Sequence, residues 1–304
     1  MTTARSTVVV VTWRGARHLT ACLDALAAQR SPHRALVVDN GSTDGTAELL
    51  AAHPSAPEVL RLPVNAGYAG AMAVALHRVR TPFMAWLNDD AAPDPGWLGA
   101  LEAALDRDPA AAAASSVLRA PDGRVQSSGV RLTADGHGAD VPRATEVFGF
   151  CGGAALLRTE VLRAAGGVPA HYFCYYEDTD TAWRFRLAGR SVVAVPEATA
   201  VHLHGASSAP GSAPFHRWNE RNRLLTLLRC APGRVAAREL ARFAAITAAL
   251  PLRRAVPDAA NFRVPLRLRV LAEVLRGLPA ALRVRRAAGD ARARARVWRD
   301  WAGR

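Results

Sequence analysis

The chain has 304 residues, half of them apolar, so it can bury one large core or one core with an appended segment. No stretch approaches the ~18 uncharged apolar residues that a membrane-spanning helix requires, which excludes a protein built from such helices. The four cysteines form no CxxC pair, which argues against a zinc site or a disulfide framework and for a reduced cytoplasm.

The positive charge, formally +13, is concentrated in the last quarter of the chain. Residues 1–229 hold 22 arginines and 21 acidic residues, whereas residues 230–304 hold 17 arginines and 5 acidic residues. The apolar residues of the second segment recur at helical spacing. We therefore predict a nearly neutral domain over residues 1–229 and a basic helical extension over residues 230–304.

The first part of the chain alternates between short apolar runs, typical of strands, and segments of helical periodicity. The N-terminal residues lead straight into the first strand, so we expect no signal peptide. Strands are predicted at residues 7–11, 35–38, 59–62 and 83–87, and helices at residues 18–29, 46–52, 71–79 and 96–107. This alternation indicates βαβ units, and the predicted fold class is α/β with a doubly wound, mostly parallel sheet.

The second half is less regular. Short strands and turns are predicted over residues 117–150, and an apolar strand ends at Leu157. A helix at residues 159–165, a helix at residues 181–187 that Gly189 ends, and a strand at residues 192–195 follow. From Trp218 onward the pattern is helical.

Two adjacent carboxylates follow the fourth predicted strand, in the tripeptide Asn88-Asp89-Asp90. Ligands of open α/β sheets bind beyond the carboxyl ends of the strands, and hard divalent cations often use one or two carboxylates with substrate phosphates. The tripeptide therefore predicts a cation site, although a solvated turn uses the same residue types. His202 and His204 point the same way on a strand, and either could ligate Mn²⁺ or be structural.

Asp39 and the pair Glu177-Asp178 are two further candidates. Asp39 ends the second strand, where it could accept hydrogen bonds from a base or ribose, or cap the following loop. Glu177 and Asp178 lie among tyrosines and close to Trp183, and desolvation by aromatic side chains would raise the pKa of a carboxyl and make it a better base. Complementarity to the dipole of the following helix is the alternative explanation for this pair.

An ordered set of motifs runs through residues 6–230. The motifs are Val8-Val9-Val10-Val11-Thr12, Val37-Val38-Asp39-Asn40-Gly41-Ser42, Asn65-Ala66-Gly67-Tyr68-Ala69-Gly70, Leu87-Asn88-Asp89-Asp90, Gly152-Gly153-Ala154, Glu177-Asp178-Thr179-Asp180 and His202-Leu203-His204-Gly205-Ala206-Ser207. In this order they resemble the family-2 glycosyltransferases, inverting nucleotide-sugar enzymes of GT-A fold, and above all their bacterial rhamnosyltransferase-like members. The resemblance implies a nucleotide-sugar half over about residues 1–110 and an acceptor half over about residues 111–229.

The resemblance also implies roles for individual residues. Thr12, Asp39 and Gly67 would line the nucleotide-sugar site, with Asn88 and Asp89 near the ribose and the sugar. The sequence departs from the family where Trp13 follows Thr12 in place of the usual Asn, and where Asn88 replaces the first Asp of the metal motif.

The same resemblance implies a metal site and a catalytic base. Asp90 and His202 would hold a divalent cation, Mn²⁺ or Mg²⁺, with His204 as the alternative histidine. Asp178 would be the catalytic base, with Glu177 and Trp183 in support.

The implied reaction moves a sugar from a UDP- or dTDP-linked donor, with rhamnose as the suggested sugar. The acceptor would be a hydroxyl of a glycan or of a lipid-linked acceptor in cell-envelope polysaccharide synthesis. We expect a cytoplasmic enzyme whose basic extension contacts the inner face of the membrane peripherally. A solvated extension packed beside the catalytic domain is the alternative.

Three other functions are suggested in part by the residues. A sugar nucleotidyltransferase would want a Gly-rich basic loop after the first strand, which residues 13–17 match poorly. A glycoside hydrolase needs two carboxylates flanking the bond, and Asp90 with Asp178 could imitate them. The arginine-rich tail suggests nucleic-acid binding, but its charge comes without a helix-turn-helix or zinc signature, so no nucleic-acid partner is expected.

Overall fold

A computed structural model describes residues 3–143, 146–203 and 209–303 of the chain. The chain divides into two compact units. The first comprises Met1–Arg131 and Ala139–Ser207, and the second comprises Leu132–Gly138 and Ser208–Arg304. The second unit thus includes residues 208–229, which were predicted to belong to the first domain. A catalytic role for residues 1–229 as a whole stays a prediction.

Strands and helices alternate through the first part of the chain, as the hydrophobic pattern predicts. The strands are β1 (Ser6–Thr12), β2 (His33–Asp39), β3 (Glu58–Arg61), β4 (Phe83–Asn88), β5 (Ala91–Pro93), β6 (Ala111–Arg119), β7 (Val125–Ser127), β8 (Val130–Leu132), β9 (Gly138–Asp140), β10 (Ala154–Arg158) and β11 (Ser191–His202). The helices up to β11 are α1 (Leu19–Ala27), α2 (Thr46–Ala52), α3 (Gly67–Leu76), α4 (Trp97–Arg107), α5 (Thr159–Ala164) and α6 (Glu177–Leu187).

The main sheet has the strand order β3-β2-β1-β4-β10-β6-β11-β5, with β7 paired to β6. The strands β3, β2, β1 and β4 are parallel, which confirms the doubly wound α/β fold class. The strand β10 is antiparallel to both β4 and β6, so the sheet is mixed beyond β4. β1 is buried along its whole length and β4 at all but its last residue, which is why both are continuous apolar runs in the sequence.

Two elements differ from their predicted bounds in a way that matters for function. The helix α6 begins at Glu177 instead of Thr181, so its acidic residues lie inside the first turn, where the helix dipole favours them. The strand β11 continues to His202 instead of ending at Val195. Pro196-Glu197 interrupts the apolar pattern, so the sequence predicts that the strand ends before them. In the structure the strand continues past these residues, with a register shift in its pairing to β6 between Ala194 and Thr199.

The second unit is helical, as predicted for the basic segment. Its helices are α7 (Ala213–Cys230), α8 (Gly233–Ala249), α9 (Val264–Ala287) and α10 (Ala291–Trp301), and α7 packs against α8 and α9. Some of its arginines bind backbone carbonyls inside the unit: Arg267 donates to Phe243 O at 3.1 Å, and Arg285 donates to Ala231 O at 2.7 Å. No helix among the described residues combines the length and apolarity that a membrane crossing needs.

Candidate functional site

Four of the predicted site residues end strands at one edge of the main sheet. Thr12, Asp39 and Asn88 are the last residues of β1, β2 and β4, and His202 is the last residue of β11. Thr12 lies in register with Asp39 on the neighbouring strand. β11 is parallel to β6, and both β6 and β4 are antiparallel to β10, so the carboxyl end of β11 is at the same edge as that of β4. The sheet topology therefore brings together side chains that are far apart in sequence.

Asp39 lies beside a surface cavity at this edge. Its carboxylate is buried, accepts the N–H of Ser42 at 2.9 Å, and lies 3.5 Å from Nε of Arg61. Arg61 ends β3 in register with Asp39 and was not singled out from the sequence, because only the strand pairing brings the two together. The cavity has a volume of about 370 Å³ and is lined by Gly41, Ser42, Thr43, Arg61, Leu62 and Pro63.

Thr12 is covered by the turn that follows β1. A Cβ at Gly15 would lie 2.1 Å from Oγ1 of Thr12 and 2.8 Å from Oδ2 of Asp89, so this turn approaches both residues more closely than any other amino acid would allow. Asp89 also lies 3.2 Å from Nε2 of His18, which follows the same turn. The hydrogen bond with Asp89 raises the pKa of His18, against the opposing effect of burial. His18 was not predicted, since it appeared only as the start of a helix.

Gly67 fixes a close approach between two loops. It adopts a positive φ of 74°, and a Cβ there would lie 2.3 Å from the carbonyl oxygen of Phe173. Asn40 joins this turn to β2 by accepting the N–H of Ala66 at 2.8 Å and donating to Asn65 Oδ1 at 3.0 Å. The packing of the two loops therefore explains why residue 67 is a glycine. Direct contact of Gly67 with a nucleotide stays a prediction.

Asp90 and His202 form the centre of the site. Oδ1 of Asp90 lies 3.2 Å from Nε2 of His202, and both side chains are buried. Burial by itself raises the pKa of Asp90, but the hydrogen bond and charge interaction with His202 outweigh it, so the pKa is lowered and the carboxyl is ionised at neutral pH. Nδ2 of Asn88 lies 3.2 Å from the same His202 nitrogen.

Gln126 on β7 holds His202 from the other side. Its amide nitrogen donates to the backbone carbonyl of His202 at 3.0 Å, and its Oε1 lies 2.8 Å from Nδ1 of the ring. An amide oxygen can only accept, so Nδ1 carries a proton in this contact. Nε2, which faces Asp90, then holds either the proton that it shares with the carboxylate or, where a cation replaces that proton, a lone pair. Gln126 was not predicted, because a glutamine on a three-residue strand gives no local signal.

The Asp90–His202 pair fits a divalent cation. A carboxylate oxygen and an imidazole lone pair converge at one point, a donor set that Mn²⁺ accepts and that needs a proton or cation to offset its charge. No group of three or more His, Cys, Asp or Glu side chains that could hold a metal is found in the part of the chain that the structure describes. The remaining coordination positions would therefore fall to diphosphate oxygens and water, as is common for such ions. The alternative ligand His204 lies outside the described residues.

Asp178 is held in a fixed orientation at the start of α6. Its Oδ2 accepts the N–H of Gly152 at 3.1 Å, and its Oδ1 accepts the N–H of Thr179 at 2.5 Å and the Thr179 hydroxyl at 3.1 Å. Gly153, next to Gly152, accepts the N–H of Asn88 at 2.9 Å. The Gly152-Gly153 dipeptide therefore lies between the catalytic-base candidate and the end of β4.

Burial dominates the electrostatics of the Glu177–Asp178 pair. It raises the pKa of both carboxyls, and the charge of Asp178 raises that of Glu177 further. Glu177 is 7% exposed, and its Oε2 has no hydrogen-bond partner among the described residues. A shared low-dielectric environment of this kind disfavours two negative charges at once. We infer that Glu177 is the carboxyl that holds a proton, because Asp178 accepts three hydrogen bonds.

The loop before α6 is strained. Phe173, Tyr175 and Tyr176 all have positive φ values, of 67°, 70° and 70°, which bulky residues rarely adopt. Such outliers cluster at functional sites, where the surrounding structure holds them. Trp183, predicted as a support of Asp178, is fully buried and packs edge-on against Phe148 at a centroid distance of 5.6 Å, so its evident role is in the core.

The chain is similar in sequence to known proteins. Residues 7–166 match the profile of Glycosyl transferase family 2. The N-acetylglucosaminyl-diphospho-decaprenol L-rhamnosyltransferase of Mycobacterium tuberculosis is 31% identical over 243 residues, which cover 67% of this chain and 78% of that protein.

Solved structures share the fold at low sequence identity. The mannosyltransferase PcManGT from Pyrobaculum calidifontis, in complex with GDP-Man and Mn²⁺, has a TM-score of 0.55 at 22% identity, covering 99% of this chain and 80% of its own. TarS 1–349 from S. aureus, in complex with UDP-GlcNAc, has a TM-score of 0.58 at 18% identity, covering 97% of this chain and 91% of its own.

Proposed function

The chain belongs to glycosyl transferase family 2 and is a glycosyltransferase of GT-A fold, and from this premise we propose the reaction that its site performs. The enzyme transfers a sugar, with inversion, from a UDP- or dTDP-linked donor to a hydroxyl of a lipid-linked glycan. The name of the M. tuberculosis relative, a rhamnosyltransferase acting on a diphospho-decaprenol acceptor, supports rhamnose and a lipid-linked acceptor.

One observation carries the proposal: an ionised, buried Asp90, two residues after the end of β4, pairs with His202 at the same edge of the sheet as Asp39. Arg61 lines a cavity on one side of this edge, and Arg61 and the carboxylate of Asp39 beside it are suited to bind the nucleoside. The Asp90–His202 pair is suited to bind the diphosphate through a divalent cation. When bound, the cation supplies Lewis-acid stabilisation of the departing diphosphate.

Asp178 acts as the general base in this mechanism. Its hydrogen bonds from the N–H groups of Gly152 and Thr179 fix the direction of the carboxylate. Its raised pKa makes it a stronger base than a solvated aspartate while a protonated Glu177 leaves it charged. Asp178 takes the proton of the acceptor hydroxyl, and the acceptor oxygen forms the bond to the anomeric carbon as the bond to the diphosphate oxygen breaks. The direct displacement needs no protein nucleophile, and it inverts the anomeric centre.

A thermal-shift screen tests the donor assignment. A ligand that binds only the folded state raises the unfolding temperature. We expect UDP- or dTDP-sugars to raise Tm with Mn²⁺ and much less with EDTA, and adenosine-linked sugars to have no effect. A rise in Tm with adenosine-linked sugars, or a rise of equal size with Mn²⁺ and with EDTA, would contradict the proposed donor site.

Gln126→Ala tests the orientation of His202. The substitution removes both contacts to His202, so the apparent Mn²⁺ affinity should fall about 10- to 100-fold, with kcat recovering at saturating metal. The measurement is initial rate against Mn²⁺ concentration.

Gln29→Ala is the matched control for Gln126→Ala. Gln29 bonds to the carbonyl of Asp94 and the N–H of Leu98 away from the metal pair, so its loss should lower Tm and leave the metal dependence unchanged. An unchanged metal dependence in Gln126→Ala, or a loss that excess Mn²⁺ does not restore, would show that Gln126 does not position His202.

A further inference from the structure

The helix α9 carries a row of exposed leucines. Leu268, Leu275 and Leu282 are 54%, 62% and 37% exposed, although leucine is usually buried. They recur every seven residues, which places them two turns apart on one face of the helix. We call this row the leucine stripe.

A different face of α9 holds the helix in the second unit. Arg267, Val270, Val274 and Ala281 are its buried residues, and Arg267 donates to Thr247 Oγ1 on α8 at 2.9 Å. The helix that carries the leucine stripe is therefore packed in place by tertiary contacts, and the leucines are exposed although the helix is fixed.

Exposed arginines border the stripe at its second and third leucines. Arg276 and Arg283 each follow a stripe leucine by one position, and Arg286 lies one turn beyond Leu282. These three guanidinium groups make no hydrogen bond or ion pair to any residue that the structure describes. Their charge therefore remains available for a partner, unlike that of Arg269, which binds Glu273 at 3.1 Å.

We propose that the leucine stripe and its arginines dock the protein on an anionic lipid bilayer. A helix with an apolar face and flanking arginines lies in the interface, with its leucines among the upper acyl chains and its arginines at the phosphate groups. The inference deepens the proposed function and rests on it for its purpose, since a lipid-linked acceptor would lie in the same membrane.

Charge distinguishes a membrane from a second copy of the chain. A seven-residue leucine repeat is also the pattern of paired helices. Pairing two copies of α9 would bring two rows of arginines together, and the one acidic residue of α9, Glu273, already binds Arg217, Arg221 and Arg269. The arginine rows oppose self-association and complement an anionic surface.

Vesicle co-sedimentation of the full chain, without nucleotide sugar, tests the proposal. We expect binding to vesicles of 70% phosphatidylcholine and 30% phosphatidylglycerol, weakened by salt, and little binding to pure phosphatidylcholine. Arg276→Gln/Arg283→Gln/Arg286→Gln should weaken binding on the order of 100-fold, at about fivefold for each charge removed near the surface. Leu268→Ser/Leu275→Ser/Leu282→Ser should weaken it comparably while the unfolding temperature stays unchanged, since all six side chains are exposed.

Arg234→Gln/Arg292→Gln/Arg296→Gln is the matched control, because it removes the same charge from exposed positions on α8 and α10. Retained vesicle binding in this control would support a specific docking surface. A loss of binding equal to that of the Arg276→Gln/Arg283→Gln/Arg286→Gln variant would show that only net charge matters and would overturn the proposal. Absence of binding to anionic vesicles would also overturn it, as would a wild-type dimer that the leucine variant converts to a monomer. Sugar transfer to a water-soluble acceptor analogue tests the proposed function without a membrane. A failure of vesicle binding can therefore be distinguished from a failure of the proposed function.

Discussion

Asp178→Asn is expected to abolish sugar transfer while leaving the donor site intact. The amide cannot accept the proton of the acceptor hydroxyl, and loss of a general base lowers rates by roughly 10²–10⁴-fold. Its oxygen can still accept the hydrogen bonds of Thr179, so α6 should keep its position. The measurement is kcat from nucleoside diphosphate release, with donor affinity measured by thermal shift on the same sample.

Asp180→Asn is the control for Asp178→Asn, because it makes the same change two residues away on α6. Asp180 is buried and binds Arg184 at 2.7 Å, so this variant leaves a buried guanidinium without its charge partner. We expect a loss of about 3–5 kcal/mol of stability, with the rate per folded molecule largely retained. Near-normal turnover in Asp178→Asn would show that another group takes the proton.

Asp90→Asn is expected to remove metal-dependent donor binding. The side chain keeps its size but loses the charge that faces Nε2 of His202 at 3.2 Å. We expect kcat/KM to fall roughly 10²–10³-fold, as when one electrostatic contact to a developing charge is lost, and the Mn²⁺-dependent part of the thermal shift to disappear.

The Asp90–His202 pair should also respond as one unit to mutation. Adding His202→Ala to Asp90→Asn should cost much less than the two single effects combined, because both residues act on one ion. Asp94→Asn provides the control, since Asp94 directly follows β5, is exposed, and accepts a hydrogen bond from the hydroxyl of Thr199 on β11. Full additivity of the two site variants, or equal metal dependence in Asp90→Asn and Asp94→Asn, would contradict a shared cation site.

The sequence predicted those parts of the fold that depend on local pattern. The helix Thr46–Ala52 has its predicted bounds, and the buried strands β1 and β4 are longer by one or two residues than their apolar runs. Asp39 and Asn88 could be located because each follows such a run directly. The family resemblance is confirmed by the profile match, which also favours glycosyl transfer over the hydrolase and nucleotidyltransferase alternatives.

The residues that contact the site residues depend on strand pairing, and they could not be predicted from the sequence. Gln126 reaches His202 only because β7 and β11 both pair with β6, and Arg61 reaches Asp39 only because β3 pairs with β2. The arginines of the second unit show the same limit. Arg285, which binds backbone carbonyls, and Arg286, which is exposed, are adjacent in sequence and differ only in which side of α9 they occupy.

Transfer of a labelled sugar tests the central claim most directly. The full chain is incubated with dTDP-rhamnose or a UDP-sugar and a lipid-linked N-acetylglucosamine acceptor, and the glycolipid product and its anomeric configuration are measured with Mn²⁺ and with EDTA. We expect metal-dependent product of inverted configuration, formed in equal amount with free nucleoside diphosphate. Product of retained configuration, or donor breakdown without any transfer to the acceptor, would contradict it.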